Sequence, residues 1–159
     1  MTTFVGTQEN FIDALKSLIE LDYAAIASYE EAIQHLTNHK YKNNLQEFKG
    51  DHERHIVELG NIVRNLGEEP PQSAGMKQIL TQGKVVFANL LGDKAILKAM
   101  KTNEDDTNVA YERLNSHPGK LTEAIMALEQ GLRDERRHRA WLINEIKESE
   151  KATEKENAA

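Results

Sequence analysis

The chain has 159 residues, about the size of one domain with a continuous apolar core. It contains no cysteine, which excludes disulfides, Cys-ligated zinc, iron–sulfur clusters and rubredoxin-type electron-transfer centres within these residues. The net charge of -6, from 26 acidic and 20 basic residues, comes with no basic stripe, so we expect no nucleic-acid partner. Residues 1–6 lack signal-peptide features and no apolar run approaches the roughly 20 residues of a membrane span, so we expect a cytoplasmic protein with no membrane partner.

Apolar residues recur at helical spacing in four long stretches, which predicts an all-α fold. Thr7 is the predicted N-cap of the first helix, which should end near residues 37–38. The second helix should run from about Lys42 to Leu66, with Gly67 directly after its last turn.

The third helix should begin at Asp93, its predicted N-cap, and end near Asn115. Apolar periodicity places the fourth helix at about residues 120–149. We expect residues 1–149 to form a single domain. Residues 150–159 are charged and carry no large apolar side chain, so we expect a disordered C-terminal tail.

The link between the second and third helices is long and does not continue the bundle. It opens with helix breakers, including Pro70 and Pro71, and then predicts a short amphipathic helix from about Met76 to Leu91. Such a link lets the third helix start at the opposite end of the bundle. The prediction is therefore a four-helix bundle of two helical hairpins joined by a crossover that contains a short extra helix.

Polar residues interrupt the apolar seam of every helix. In the fourth helix, the seam continues past Leu132 onto Glu135 and then onto His138 or Arg139. Burying an unpaired charge costs several kcal/mol, so a compensating group is expected. A Glu-x-x-His pair that projects into a helical bundle is the geometry that di-iron and di-manganese carboxylate proteins use. The other inward polar positions are Asp22 in the first helix, His52 and His55 (or Ile56) in the second, and Glu104 (or Asn103) in the third.

The two hairpins repeat one another in sequence. In the outgoing helices, like residues stand 82 positions apart: Asp22 and Glu104, Tyr29 and Tyr111, Glu30 and Glu112, His35 and His117. In the return helices the offset is 83: Asp51 and Asp134, His52 and Glu135, His55 and His138, Leu59 and Leu142. An offset that holds across so many pairs indicates an internal duplication of the hairpin.

Residues equidistant from the turn of an antiparallel hairpin lie at the same height in the bundle. The midpoints between Asp22 and His52, and between Glu104 and Glu135, both fall at predicted turns, so the inward polar groups should meet in one layer. Carboxylates and imidazoles suit iron, manganese or zinc by ligand type. The predicted ligands are Asp22, His52, His55, Glu104, Glu135 and His138.

One acid on each outgoing helix and a (Glu/His)-x-x-His on each return helix resemble the ferritin-like superfamily of rubrerythrins and bacterioferritins. A closer resemblance is to a bacterial ferritin-like four-helix-bundle family of unassigned function. Residues 18–23, residues 63–70, and Glu104-Asp105 followed by Tyr111 carry this resemblance. It implies a di-iron centre with oxygen- or peroxide-dependent redox chemistry, such as a ferroxidase or peroxidase.

Two positions depart from the superfamily pattern. Asp22 replaces a glutamate and shortens its reach by one methylene, and His52 replaces a glutamate that would bridge both metals. Because an imidazole binds one metal through one nitrogen, the second bridge is lost. We therefore predict an asymmetric metal pair, or one strong and one weak site.

Several alternatives stay open. The layer could be free of metal, with its acids and histidines paired to each other, or Glu135 could pair with Arg54 or Arg139. Tyr29 and Tyr111 are either hydrogen-bonding partners of the ligands or ordinary core. The surrounding polar residues are expected on the surface, although Asp51 could orient a histidine from outside, and Glu30 and Glu112 could be extra ligands. These surface residues are Asp51, Glu53, Asp134, His35, His39 and His117.

We therefore predict a di-iron protein with oxygen- or peroxide-dependent redox activity. The alternative is a bundle associated with stress that binds metal without catalysis, or binds none. Iron storage in a cage is disfavoured, because no cage-forming surface can be identified. A homodimer is expected, and a redox-active protein without cysteine would need an external electron donor.

Overall fold

A computed structural model describes residues 3–75 and 90–157. These residues form helices without any strand, as the sequence predicts. The four long helices are α1 (Phe11–His35), α2 (His39–Asn65), α3 (Asp93–Asn115) and α4 (Ile125–Asn157), with a 3-10 turn at Thr122–Ala124 before α4.

Asparagine side chains begin both helices of the first hairpin. The Asn10 side chain accepts hydrogen bonds from the backbone N–H groups of Ile12 and Asp13, so Asn10 is the N-cap of α1. The prediction of Thr7 was wrong, because its hydroxyl instead donates to the carbonyl of Phe4 at 2.7 Å. Asn38 caps α2 in the same way, and α2 starts three residues before the predicted Lys42.

Gly67 closes α2, as predicted. Its φ of 81° lies in the left-handed region that glycine adopts without steric penalty. The next N–H, from Glu68, returns to the carbonyl of Val63 at 3.1 Å, which satisfies an end group of the helix.

Asp93 does not cap α3, contrary to the prediction, since Gly92 holds the N-cap position. The Asp93 carboxylate instead accepts from the backbone N–H groups of Thr37 and Asn38, each at 2.8 Å. The start of α3 is thereby tied to the turn between α1 and α2.

The last helix is longer than the sequence indicates. It begins after the 3-10 turn at Ile125 and continues to Asn157, past the predicted end at residue 149. Helix therefore occupies most of the tail that we expected to be disordered. Short-range pairs such as Lys151 with Glu148, at 2.8 Å, stabilise this exposed stretch.

Contacts at both ends of the bundle fix its topology. The start of α3 lies at the end of α1, while Arg113, near the end of α3, donates to the carbonyl of Val5 before α1 at 3.2 Å. Hence α1 and α3 are antiparallel, and α2 ends and α3 begins at opposite ends of the bundle, as predicted. The short helix predicted from Met76 to Leu91 falls largely outside the described residues.

The core consists of two apolar clusters. One includes Leu18 and Leu59, the other includes Met100 and Leu142, and all four are at most 1% exposed. Each long helix contributes residues to both clusters, and its inward polar residues lie between these two sets along the chain. None of the helices in the described part of the chain has an apolar run long enough to cross a membrane.

A glycine inside α4 makes room for a buried ring. A methyl group at Gly131 would overlap the ring of Tyr111, whereas a methyl group at Gly50, inside α2, would meet nothing within 4 Å. We expect Gly131→Ala to destabilise the fold by about 1–3 kcal/mol through overpacking. Gly50→Ala should stabilise it by roughly 0.5–1 kcal/mol, because alanine favours helix. Urea unfolding of both variants checks this, and equal effects would contradict it.

Candidate metal centre

All six predicted ligands lie together in the middle of the bundle, and each is at most 1% exposed. Their ligand atoms form two overlapping groups in which all atoms lie within 4.8 Å of one another. The first group is Asp22, His52, His55 and Glu135; the second is His52, Glu104, Glu135 and His138. Glu135 and His52 are shared, so the arrangement could hold two metal ions side by side.

Several polar atoms of this cluster have no hydrogen-bond partner among the residues that the structure describes. They are Nε2 of His52, Nδ1 of His55, both carboxylate oxygens of Glu135, and Nδ1 of His138. Unpartnered buried polar atoms are costly and rare in folded proteins. Because they are imidazole nitrogens and carboxylate oxygens facing one another, this donor set fits divalent metal ions.

Two aspartates hold the outer nitrogens of two histidines across the bundle. Nε2 of His138 in α4 lies 2.9 Å from Asp51 in α2, and Nε2 of His55 in α2 lies 3.2 Å from Asp134 in α4. Both aspartates are buried, at 8% and 6% exposure, so placing them on a solvated face was wrong. The structure instead agrees with the alternative hypothesis, in which Asp51 orients a histidine.

Arginines cover these two aspartates from the surface. The Arg54 guanidinium donates to Asp51 at 2.6 Å and also to Asp134, while Arg137 bonds to Asp51. Arg54 is therefore not the partner of Glu135, and Arg139 pairs with Asp105. The carboxylate of Glu135 is left free inside the cluster.

The two tyrosines bridge the hairpins in the same crossed manner. The Tyr111 hydroxyl donates to Asp22 at 2.9 Å, and the Tyr29 hydroxyl donates to Glu104. Both rings are fully buried. Each tyrosine therefore positions the acid of the other hairpin in addition to filling the core.

His52 makes a contact that its repeat partner Glu135 does not make. Its Nδ1 lies 2.9 Å from Oδ1 of Asp22, within hydrogen-bond distance. Its Nε2, which has no partner, lies 3.7 Å from Oε1 of Glu104. Asp22 therefore receives hydrogen bonds on both oxygens, one from His52 and one from Tyr111.

Sequence reasoning missed Asn108, one turn beyond Glu104 in α3. Its side-chain amide donates to the backbone carbonyls of Glu104 at 2.8 Å and of Glu135 at 3.0 Å. It therefore joins α3 to α4 at two of the predicted ligands. A polar residue on the inner side of the helix was the available signal.

Other candidates lie outside the cluster. Glu30 and Glu112 are exposed and pair with Lys49 and Arg136, so they are not part of it. His117, expected on the surface, is only 8% exposed, and its Nε2 lies 2.8 Å from the carbonyl of Gln8.

The three buried imidazoles are biased toward their charged form. Burial acts to lower their pKa values, and nearby carboxylates act to raise them. The balance raises the pKa of His55 to about 9, chiefly through Asp134 and Asp22. The pKa values of His52 and His138 are raised too. Without metal, protons on the imidazoles balance the carboxylates.

The three acids differ from one another. Burial raises the pKa of Glu135 to about 7. Burial also acts to raise the pKa values of Glu104 and Asp22, but the adjacent imidazoles outweigh it and lower both. Glu135, which has no hydrogen-bond donor of its own, is the acid that gains most from a cation.

Comparison with known proteins gives a family for this chain. Residues 10–117 match the sequence family described as a domain of unknown function, DUF2383. The chain belongs to this family. The DUF2383 match includes α1 to α3, with Asp22, His52, His55 and Glu104, and ends before Glu135 and His138. No curated protein matches the chain by sequence.

A solved structure supports the fold. This DUF2383 chain superposes on the crystal structure of a ferritin-like, diiron-carboxylate protein from Bacillus anthracis str. Ames with a TM-score of 0.69. The two share 19% identity, and the match covers 91% of this chain and 99% of the other. The predicted ferritin-like four-helix bundle is thereby confirmed.

The histidine pKa values predict how stability depends on pH. The pKa of His55 is raised from 6.5 to about 9, so its contribution is fully present below pH 6.5 and lost as the pH rises through about 9. Metal-free protein should therefore lose stability over this range. Denaturation by urea at several pH values measures it, and His55→Ala should flatten the dependence. Stability that rises toward pH 9 would contradict this account.

Removing an outer aspartate should weaken metal binding without touching a ligand. We expect Asp51→Ala to lower metal affinity by about 10–100-fold, since His138 loses the group that orients its ring. Glu53→Ala is the matched control, because Glu53 is exposed and its carboxylate pairs with Lys49 at 3.3 Å. Calorimetric titration with zinc measures both, and equal affinities would contradict the role of Asp51.

Proposed function

We propose that this chain binds two metal ions, with iron favoured, and uses them in oxygen- or peroxide-dependent redox chemistry. The observation that carries this proposal is the free carboxylate of Glu135. Both of its oxygens are buried without a partner, and Oε1 lies 3.6 Å from Nδ1 of both His52 and His55. A group this costly to bury fits a bridging ligand between two cations.

The two groups of side chains support a division of the ligands between two ions. Asp22 and His55 would serve one ion, Glu104, His138 and His52 the other, and Glu135 would join them. Bound ferrous iron would supply two electrons per pair to dioxygen or hydrogen peroxide. Manganese and zinc fit the same donor types.

The protein itself supplies a dry and pre-arranged site. Burial of all six side chains excludes bulk water, and three carboxylates offset most of the charge of two divalent ions. Hydrogen bonds from Tyr29 and Tyr111 fix two of these carboxylates before any metal arrives. Asp51 and Asp134 hold two histidines with Nδ1 turned inward.

The oxidant should be a small molecule, because the ligands are at most 1% exposed and leave no room for a large substrate. The reductant should be external, since no cysteine is present to hold a second redox centre. The alternative function is a bundle that binds metal, or no metal, for structure alone. The direct bond between His52 and Asp22 favours this alternative, because it pairs two of the six groups without a cation.

Metal content is the first test. Protein purified without chelators and supplied with ferrous iron should hold close to two irons per chain. His138→Ala should lower this sharply, while His35→Ala should not, because His35 is exposed at the end of α1. Elemental analysis after desalting, with circular dichroism to verify folding, gives the result. Absence of any metal in the wild-type protein would overturn the proposal.

Oxidation of bound ferrous iron separates the two functions. Hydrogen peroxide or oxygen added to anaerobically loaded protein should oxidise the iron rapidly. Glu135→Gln should lose this activity, whereas Glu112→Gln, at an exposed acid, should keep it. Stopped-flow absorbance follows the reaction. Bound iron that oxidises no faster than free iron would leave the structural function.

A further inference from the structure

We propose that the two halves of the centre are unequal and fill in a fixed order. The half made of His52, Glu104, Glu135 and His138 is a complete four-ligand site that takes the first divalent ion. Asp22 serves as the orienting partner of His52 in that state. This inference rests on the proposed metal binding and adds which residues bind first.

The hydrogen bond of His52 decides which nitrogen is available. A carboxylate only accepts hydrogen bonds, so the 2.9 Å contact with Asp22 puts the proton on Nδ1 of His52. Metal binds the neutral imidazole, and with Nδ1 protonated the lone pair of that form is on Nε2, which has no hydrogen-bond partner among the described residues. Nε2 lies on the side of Glu104, at 3.7 Å from its Oε1. His52 is therefore a ligand of the second group.

The hydrogen bond between His52 and Asp22 also makes Asp22 less available to a cation in the first group of ligands. One oxygen of Asp22 accepts from His52, and the other accepts from Tyr111 at 2.9 Å. A cation bound by Asp22 must compete with both donors. By contrast, the hydrogen bond that Asp22 accepts from His52 is of the type that orients histidine ligands of metals.

Three of the four ligands in the complete half are already oriented by a hydrogen-bond partner. Asp22 holds His52, Asp51 holds His138, and Tyr29 holds Glu104. Glu135 has both oxygens free. The two carboxylates balance the charge of one divalent cation. Together with the two imidazoles they give the four ligands that zinc requires.

The other half has fewer ligands. His55 is well held by Asp134 and offers Nδ1, but its remaining partners are the shared Glu135 and the occupied Asp22. In sequence, the cause is the departure from the repeat at position 52, because His52 stands where the second hairpin has Glu135. A glutamate at position 52 would have no N–H to donate to Asp22. Its two oxygens could also bind two metal ions, whereas an imidazole binds one.

Titration with zinc tests the order of filling apart from redox activity. Isothermal calorimetry and native mass spectrometry of the wild-type protein should show one tight ion, followed by a second that binds about tenfold or more weakly. His138→Ala should lose the tight ion. His55→Ala should keep it and lose only the second. His52→Glu should bring the two affinities closer together.

Histidine ring resonances give a readout that needs no variant. With one equivalent of zinc, nitrogen shifts of His52 and His138 should change in nuclear magnetic resonance spectra, while those of His55 stay as in the free protein. Two equal affinities, or simultaneous shifts of all three rings, would overturn this inference and leave the proposed function intact. Failure to bind zinc and ferrous iron at all would overturn the proposed function itself.

Discussion

The bundle depends on a layer of ionisable groups that water cannot reach. Three carboxylates and three imidazoles lie between two apolar clusters, and the desolvation of each must be offset by a partner. Protons on the imidazoles offset it in part, and this is why their pKa values are raised. Metal ions would replace those protons, so folding stability and metal affinity are linked through the same side chains.

The supporting contacts cross from one hairpin to the other. Tyr29 and Tyr111 donate to acids of the opposite hairpin, and Asp51 and Asp134 hold histidines of the opposite hairpin. Each contact has its counterpart at the repeat offset of 82 or 83 residues. Neither hairpin therefore completes the polar layer without the other. Gly131 leaves the space that the Tyr111 ring requires at this interface.

One residue breaks this approximate symmetry. At position 52 an imidazole replaces the carboxylate that the repeat would place there, and its bond to Asp22 has no equivalent at Glu135. A centre with two bridging carboxylates holds its ions alike, whereas under the proposed function this centre would have one bridging carboxylate and one imidazole that binds only one of the two ions. The chemistry of the pair follows from that difference, since the two ions would have different donors and charge around them.

Periodicity and repeat determined the helices, the two hairpins and the six inward polar residues, because facing and height in a bundle follow from spacing along the chain. The N-cap of α3 was missed because the Asp93 carboxylate binds the turn between α1 and α2, a contact with another segment. The N-cap of α1 was missed for a local reason, since the Asn10 side chain accepts from the first turn. The contact of Asp134 with His55 could not be predicted from sequence, because Asp134 lies next to the predicted ligand Glu135 yet reaches a residue of another helix. Which nitrogen of His52 is free depends on a residue 30 positions away, and only the packing of α1 against α2 brings Asp22 to it.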